Sequence, residues 1–272
     1  MPVRVQVENF GDEKGIRYQL LKKSYNYSMH MHQFSELFIV LEGEVEITVD
    51  GRCESIKPNQ AAFVFPFQSH EYKSNTLNRV AIFVFSEALV PELSLLRDGR
   101  VGERSVFDLS ESAIHSLSDR IINSETYEIF DLKGCLYLSI QDFIRQVNLR
   151  SAPRSVRLPA EKIIKYIVDH MTESISLETV AADLGYSPKY LSNCINRLFD
   201  MNFATLVANA RVDRARHLLR ETNKTRTEIC YECGFSSERS FHRQFQKIMN
   251  YTPTQYRGLN LGKVAQGTIR RF

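Results

Sequence analysis

Two folds in one chain are predicted for this sequence: a β-rich barrel or sandwich at the N-terminus and an all-α domain with two helix-turn-helix units at the C-terminus. Three observations carry that expectation. The apolar residues alternate with period two over the first ~100 residues and recur at helical spacing afterwards. A glycine-centred helix-turn-helix pattern occurs twice in the last third. The charge also divides: residues 151–272 hold 19 Lys and Arg against 11 Asp and Glu, a net of +8, while the remainder carries −5. A basic domain attached to an acidic one is expected when only one of them meets nucleic acid.

The β elements follow in order. Glu44 to Asp50 alternates acidic or polar residues with β-branched ones, as a half-buried strand does. Asp50-Gly51 tolerates positive φ in a two-residue hairpin, and Arg52 to Ile56 returns as the partner strand. Pro58-Asn59 breaks the chain before the strand-like Ala61 to Phe65. Val80 to Phe85 is a continuous apolar run, short enough for a strand buried on both faces. Many short strands between turn signals predict a sandwich or small barrel over residues 1–109.

From Ser110 the period changes. Ile114, Leu117, Ile121 and Ile122, then Leu136, Ile140, Phe143, Ile144 and Val147, predict two amphipathic helices with a break near Ile129 to Gly134. Two readings stay open for this element, residues 110–149. Either both helices cover the β domain, or one presents an apolar face to a second subunit. Dimerisation is the expected role, because DNA-reading proteins tend to act as symmetric pairs. Residues 150–159 hold two prolines and three arginines without periodicity, which predicts a linker. Residues 160–258 read as helical, and 259–272 as a loosely ordered tail.

Within the helical part, Val180 to Ser187 leading into Pro188–Phe199 matches Ile229 to Ser236 leading into Ser237–Met249. Each reads as a short helix, a glycine turn and a second helix. Ser176 caps the first unit, and Thr225-x-x-Glu228 spells a capping box for the second. Gly185 and Gly234 supply the left-handed residue that commonly ends a helix, and Ser187-Pro188 and Ser236-Ser237 start the next one. Tyr186 and Phe235 follow as aromatic plugs. Between the units, Phe203 to Leu219 predicts one amphipathic helix of ~25 Å. Such a strut can hold two recognition helices about one DNA turn, roughly 34 Å, apart.

These residues, together with Arg211-Val212-Asp213-Arg214-Ala215 and Tyr251-Thr252-Pro253-x-x-Tyr256-Arg257, resemble the AraC/XylS-type regulators over roughly the last hundred structured residues. The resemblance implies a seven-helix DNA-binding domain. Carried over by position, its base-facing residues are Lys189, Ser192 and Asn193 in the first unit, and Glu238, Arg239, His242 and Arg243 in the second. Their chemistry suits base edges. Arginine grips guanine O6/N7, asparagine reads adenine, and glutamate accepts from cytosine N4. Asn193 stands where the family commonly has arginine, and Leu198 and Phe199 replace polar residues, which predicts weaker base contact or an extra apolar patch in the first unit.

The N-terminal segment His30-x-His32-x-x-x-Glu36-x6-Gly43, followed by Pro66-x-x-x-His70, resembles the paired motifs of the cupin barrel. The resemblance implies an effector pocket with His30, His32, Glu36, His70 and Tyr72 as its residues, and a carbohydrate or related metabolite as the ligand. The same three histidines and carboxylate form a cupin metal set, suited to Zn, Fe or Mn. Ser24, Gln68 and Ser74 stand where the motifs usually have glycine, glycine and asparagine. No metal or other cofactor is therefore expected, with metal at the four residues kept as the alternative.

The expected function is a cytoplasmic, non-enzymatic, effector-responsive DNA-binding transcription regulator. Its implied partners are double-stranded DNA, a small-molecule effector, a second copy of the chain and, as a further candidate, RNA polymerase. The rival is a metal-dependent cupin enzyme with an appended helical domain. Hydrophobic residues at 43% and charged ones at 25% describe an ordinary globular protein. No apolar run reaches the ~18–20 residues of a bilayer span, and the first ten residues show no secretory pattern. Cys53, Cys135, Cys194, Cys230 and Cys233 form no even framework, and the Cys230-x-x-Cys233 pair lacks the second pair a zinc site needs. Packing is the expected role of Cys194, Cys230 and Cys233.

Overall fold

The computed structural model describes residues 4–6, 16–93, 99–123, 126–151, 154–259 and 268–269. These fall into two compact units. One holds residues 154–259 with the short segments 4–6 and 29–33, and the other holds most of the N-terminal half. Among the described residues no helix is long and apolar enough to cross a membrane.

The N-terminal strands are β1 (Arg4–Gln6), β2 (Ile16–Lys23), β3 (Tyr27–His32), β4 (Ser35–Glu42), β5 (Val45–Val49), β6 (Arg52–Ile56), β7 (Gln60–Val64), β8 (His70–Lys73) and β9 (Asn78–Phe85). A short 3-10 turn at Glu87–Leu89 leads on to β10 (Arg100–Gly102) and β11 (Val106–Asp108). One five-stranded sheet has the order β11-β7-β4-β9-β2, and the other β1-β3-β8-β5-β6. The Asp50-Gly51 hairpin forms as expected, with φ of 48° and 81°, and pairs Val49 with Arg52.

β4 separates two cores. A strand's side chains alternate faces, so Leu37 and Ile39 join one cluster while Phe38 and Val40 join another. β7 and β9 divide the same way: Phe63 and Phe83 lie with the first cluster, Val64 and Ile82 with the second. The second cluster fills the space between the sheets. The first is covered by α1 (Glu111–Leu117), a π-type turn at Ser118–Ile122, and α2 (Ile129–Gln146). Leu132, Leu136, Ile140 and Phe143 of α2 pack there. Phe143 meets the rings of Phe63, Phe65 and Phe107 at centroid distances of 5.1, 5.9 and 5.4 Å.

Two expectations are corrected. The break expected near Ile129 to Gly134 falls earlier, between Ile122 and Ile129, because Glu128 and Asp131 form a capping box that starts α2 at Ile129. Gly134 lies inside that helix at the usual cost of about 1 kcal/mol for an interior glycine. The 150–159 linker is mostly structured. After the two-residue β12 (Thr126–Tyr127), β13 (Leu149–Ser151) pairs with β10, and α3 runs from Arg154 to His170 with Pro159 inside it. Pro159 is the sixth residue of α3, so the helix forgoes the bond from that position to the Ser155 carbonyl. Residues 260–267 and 270–272 of the expected loose tail lie outside the described residues. Thr268–Ile269, numbered β14, forms a short parallel ladder with β12, where backbone groups find partners.

Beyond α3 come α4 (Leu177–Asp183), α5 (Pro188–Phe199), α6 (Phe203–Glu221), α7 (Arg226–Glu232), α8 (Glu238–Met249) and α9 (Pro253–Gly258). Among the described residues this unit thus has the seven helices the resemblance implies. Leu206, Ala210, Val212, Ala215 and Leu219 of the strut α6 are all buried, as its apolar spacing predicts. Cys194, Cys230 and Cys233 are buried too, and burial pushes the Cys233 thiol up to about 12.

Candidate nucleic-acid interface and effector cluster

The two glycine turns place α5 and α8. Gly185 and Gly234 adopt φ of +73° and +80°, the left-handed region where a side chain is strained. Ser187 then caps α5 by accepting from the Tyr190 N–H, with Pro188 in the first turn, and Ser237 caps α8 by accepting from Ser240. The capping box of Thr225 and Glu228 starts α7 as expected. Phe235 is buried as the plug of the second turn. Tyr186 is only half-buried, with its ring beside Tyr190 at 5.1 Å and the Lys162 ammonium at 5.8 Å.

Leu191, Cys194, Ile195 and Phe199 anchor α5, and Phe241 and Phe245 anchor α8. The opposite faces are open. Lys189, Ser192, Asn193, Glu238, Arg239 and Arg243 are exposed and His242 is half-buried. Glu238 has one carboxylate oxygen engaged, accepting from the Thr227 hydroxyl at 2.8 Å. Phe199 is fully buried, so the expected extra apolar patch does not form there: the side chain closes the end of α5 against the core.

Sequence reasoning missed Arg197 and Lys247, both exposed one turn further along these faces. Lys189-Asn193-Arg197 and Arg239-Arg243-Lys247 are i, i+4 rows on helices whose positions correspond at an offset of fifty residues. Continuing the four-residue period would have found them.

In the N-terminal half, strand parity aims a polar group between the sheets. Glu36 shares its β4 face with Phe38 and Val40. His70 and Tyr72 of β8 sit opposite Val49 and Ile47 in the ladder. Glu36, His70 and Tyr72 are buried. The Tyr72 hydroxyl donates to Glu36 Oε1 at 2.5 Å, and His70 Nε2 lies 3.7 Å from Glu36 Oε2. His70 Nδ1 lies 2.9 Å from the Gln68 carbonyl. A carbonyl only accepts, so Nδ1 carries the proton and Nε2 faces the carboxylate. Burial, then the Glu36 charge, holds the Tyr72 hydroxyl well above its ordinary pKa, so it remains a donor. His30 and His32 are buried as well, and the possible ligand atoms of His30, His32, Glu36 and His70 all lie within 4.8 Å of one another. All five residues read from the sequence as a pocket are thus buried polar groups, four of them in one cluster.

The motif departures support one another. Ser24 Oγ and Asn26 Nδ2 both donate to the Ser74 carbonyl, and Ser74 Oγ donates to the Glu44 carbonyl. Gln68 accepts from the Phe65 N–H and donates to Asp50. Rings missed by the sequence reading surround the cluster: Phe38 stacks on Tyr72 at 4.2 Å, and Tyr25 meets Tyr72 edge-on at 5.5 Å.

A family profile described as a helix-turn-helix domain matches residues 180–258, and one described as a cupin domain matches 18–86. The chain thus carries a helix-turn-helix domain of the AraC type and a cupin domain. A relative named as an uncharacterized HTH-type transcriptional regulator, YobQ of Bacillus subtilis, is 24% identical, covering 87% of this chain and 92% of its own. The HTH-type transcriptional activator RhaS of Enterobacter is 23% identical, covering 84% of this chain and 86% of its own. The solved structure of ToxT from Vibrio cholerae shares the fold, with a TM-score of 0.63 at 15% identity, and covers 91% of this chain and 98% of its own. A chain with these two domains is a DNA-binding regulator of transcription with an effector-binding cupin domain. Its relatives are named as regulators of transcription rather than as enzymes.

Proposed function

We propose that this regulator reads two adjacent major-groove segments of one duplex, with α5 and α8 as recognition helices, and that the buried cluster around Glu36 receives its small effector. The reading is carried by the matched rows on α5 and α8. Arg239 and Arg243 take guanine, Asn193 takes adenine, and Lys189, Ser192, Glu238 and His242 complete the base-facing set. Arg197 and Lys247, at the far ends of the rows, take phosphates. Arg243→Ala is expected to weaken binding by about 1–3 kcal/mol, roughly 5- to 150-fold, and to relax preference at one base pair. Titration against duplexes selected from a random pool, beside a scrambled control, checks this. Equal weakening on both duplexes would assign Arg243 to phosphate.

The effector is a small polar molecule, a carbohydrate or related metabolite. Its hydroxyls match the Glu36, Tyr72 and histidine groups, and its apolar face matches the Phe38 and Tyr25 rings. A second reading places a divalent cation at His30, His32, Glu36 and His70, favoured by the close approach of their ligand atoms and by the carbonyl behind His70 Nδ1, the usual support of a ligating imidazole. Metal analysis of the purified protein, with sugars and an unsaturated fatty acid, as bound in a solved structure of ToxT, as titrants, separates these readings. Metal-free protein that binds DNA tightly excludes the metal-dependent enzyme.

The regulator works as a homodimer through α2, with RNA polymerase as a further partner. Phe130, Tyr137 and Ile144 are 72%, 39% and 41% exposed and stand seven residues apart, the spacing of a helix-pairing seam. Tyr137 and Ile144 also line a groove of about 580 Å³ with Val90, Leu93 and Ile140. Aspartate at both 137 and 144 is expected to convert dimer to monomer in sedimentation. Wild-type protein that stays monomeric at every concentration, with and without DNA, would sink the dimer. The proposed segments are 1–109 for the effector, 110–149 for pairing and 154–259 for DNA, α3 included.

A further inference from the structure

A guanidinium on the strut closes a joint between the two helix-turn-helix units. The last carbonyls of a helix have no partner within it. Just past the end of α3 at His170, two loop carbonyls find a partner in Arg211 of α6: Nε donates to Met171 O and Nη2 donates to Glu173 O, each at 2.7 Å. α3 is in turn bound to the first unit, because Tyr166 donates to Asp183 at 2.5 Å and Lys162 stands over Tyr186. Arg257 of α9 repeats the device one unit later, with Nε donating to Leu219 O and Nη2 to Lys224 O beyond the end of α6.

Arg211 has an additional neighbour. A Cβ built on Gly234 would lie 2.3 Å from Met171 O, 2.8 Å from Thr172 Cα and 3.1 Å from Arg211 Nε. The turn of the second unit is therefore pressed against the carbonyl that Arg211 holds. The Arg211 guanidinium also stands 5.9 Å from the Phe235 ring centre. Gly185, the corresponding turn residue of the first unit, would meet nothing within 4 Å. Both glycines serve a left-handed turn, but only Gly234 admits a close approach of backbones. Burial draws the Arg211 pKa downward, which fits a group enclosed by these contacts rather than one reaching toward solvent.

We propose that Arg211 and Gly234 are positioning residues that fix the second recognition helix relative to the first, and so set the spacing between the two DNA segments the protein accepts. Neither touches DNA. The inference rests on the reading that α5 and α8 contact one duplex. A two-carbonyl fork suits the task because it restrains direction as well as distance, which a single ammonium does not.

The test uses the full chain and a duplex selected from a random pool by the wild type, with variants of that duplex carrying one base pair more or less between the two contacted segments. Failure to select any duplex would count against the reading of function and not against the joint. Wild type is expected to lose roughly tenfold for either spacing change, as base contacts of one helix are lost. Arg211→Lys and Gly234→Ala are expected to flatten that difference to about threefold or less, while each remains folded by thermal melt. They should also broaden the distance distribution between spin labels placed on exposed positions of α5 and α8 in the free protein. Folded variants with the wild-type spacing profile would overturn the proposal. Unfolding of both variants would overturn it too, by assigning the contacts to stability of the whole unit.

Discussion

Replacing Phe143 with alanine is expected to destabilise the N-terminal unit by about 3–5 kcal/mol, the range for a large aromatic lost from a closed core. Phe143 is 1% exposed and its ring is shared among Phe63 of β7, Phe65 just past that strand and Phe107 of the neighbouring β11. Truncation leaves a cavity that rigid strands on one side and α2 on the other cannot close. Ile144, the next residue, supplies the control. It is 41% exposed, and Ile144→Ala is expected to cost less than about 1 kcal/mol. Urea unfolding followed by tyrosine fluorescence measures both. Equal midpoints for the two variants would mean that α2 does not belong to the core of the sheet it covers.

The comparison of Phe143 with Ile144 also marks where the sequence was legible. Helical period placed both on one apolar stripe, and the period was right. Which part of a stripe meets a sheet depends on partners distant in sequence, and Phe63, Phe65 and Phe107 lie between 36 and 80 positions away. The β hairpin at Asp50-Gly51 and the caps at Ser176, Ser187 and Thr225 were legible for the opposite reason, since each is settled by residues within a few positions. Arg150 to Pro159 misled because proline and arginine composition describes a linker, while the start of α3 tolerates a proline in its second turn. In the polar cluster, His30-x-His32-x-x-x-Glu36 and Pro66-x-x-x-His70 were legible only as a resemblance to the paired cupin motifs. The Tyr25 and Phe38 rings around it carry no motif and emerge only when the strands are assembled. Arg211 and Gly234 were visible as members of a family pattern, yet the reason for them is a long-range meeting of three helices.

Glu36→Ala is expected to abolish the response to effector while leaving effector-free DNA binding unchanged. The carboxylate accepts from Tyr72 at 2.5 Å and faces His70 at 3.7 Å. Removing it leaves a buried hydroxyl without that acceptor, at a cost of about 1–3 kcal/mol to the barrel. It also removes the only carboxylate of the four-residue cluster. Glu36→Gln separates the two consequences. Its amide oxygen still accepts from Tyr72, so stability should return toward wild type, whereas a ligand or cation that needs the negative charge stays unbound. The quantity to measure is the ratio of DNA affinities with and without effector. Coupling of the usual size gives a ratio of roughly 5 to 150 for wild type, and both variants should bring it to about one. DNA affinity without effector should not move, because Glu36 lies outside the unit that holds α5 and α8. Variants that respond as wild type does would reduce the cluster to a structural role. Folded variants that lose DNA binding altogether would instead place the barrel inside the recognition machinery, since an effector shifts only an equilibrium whose two states it distinguishes.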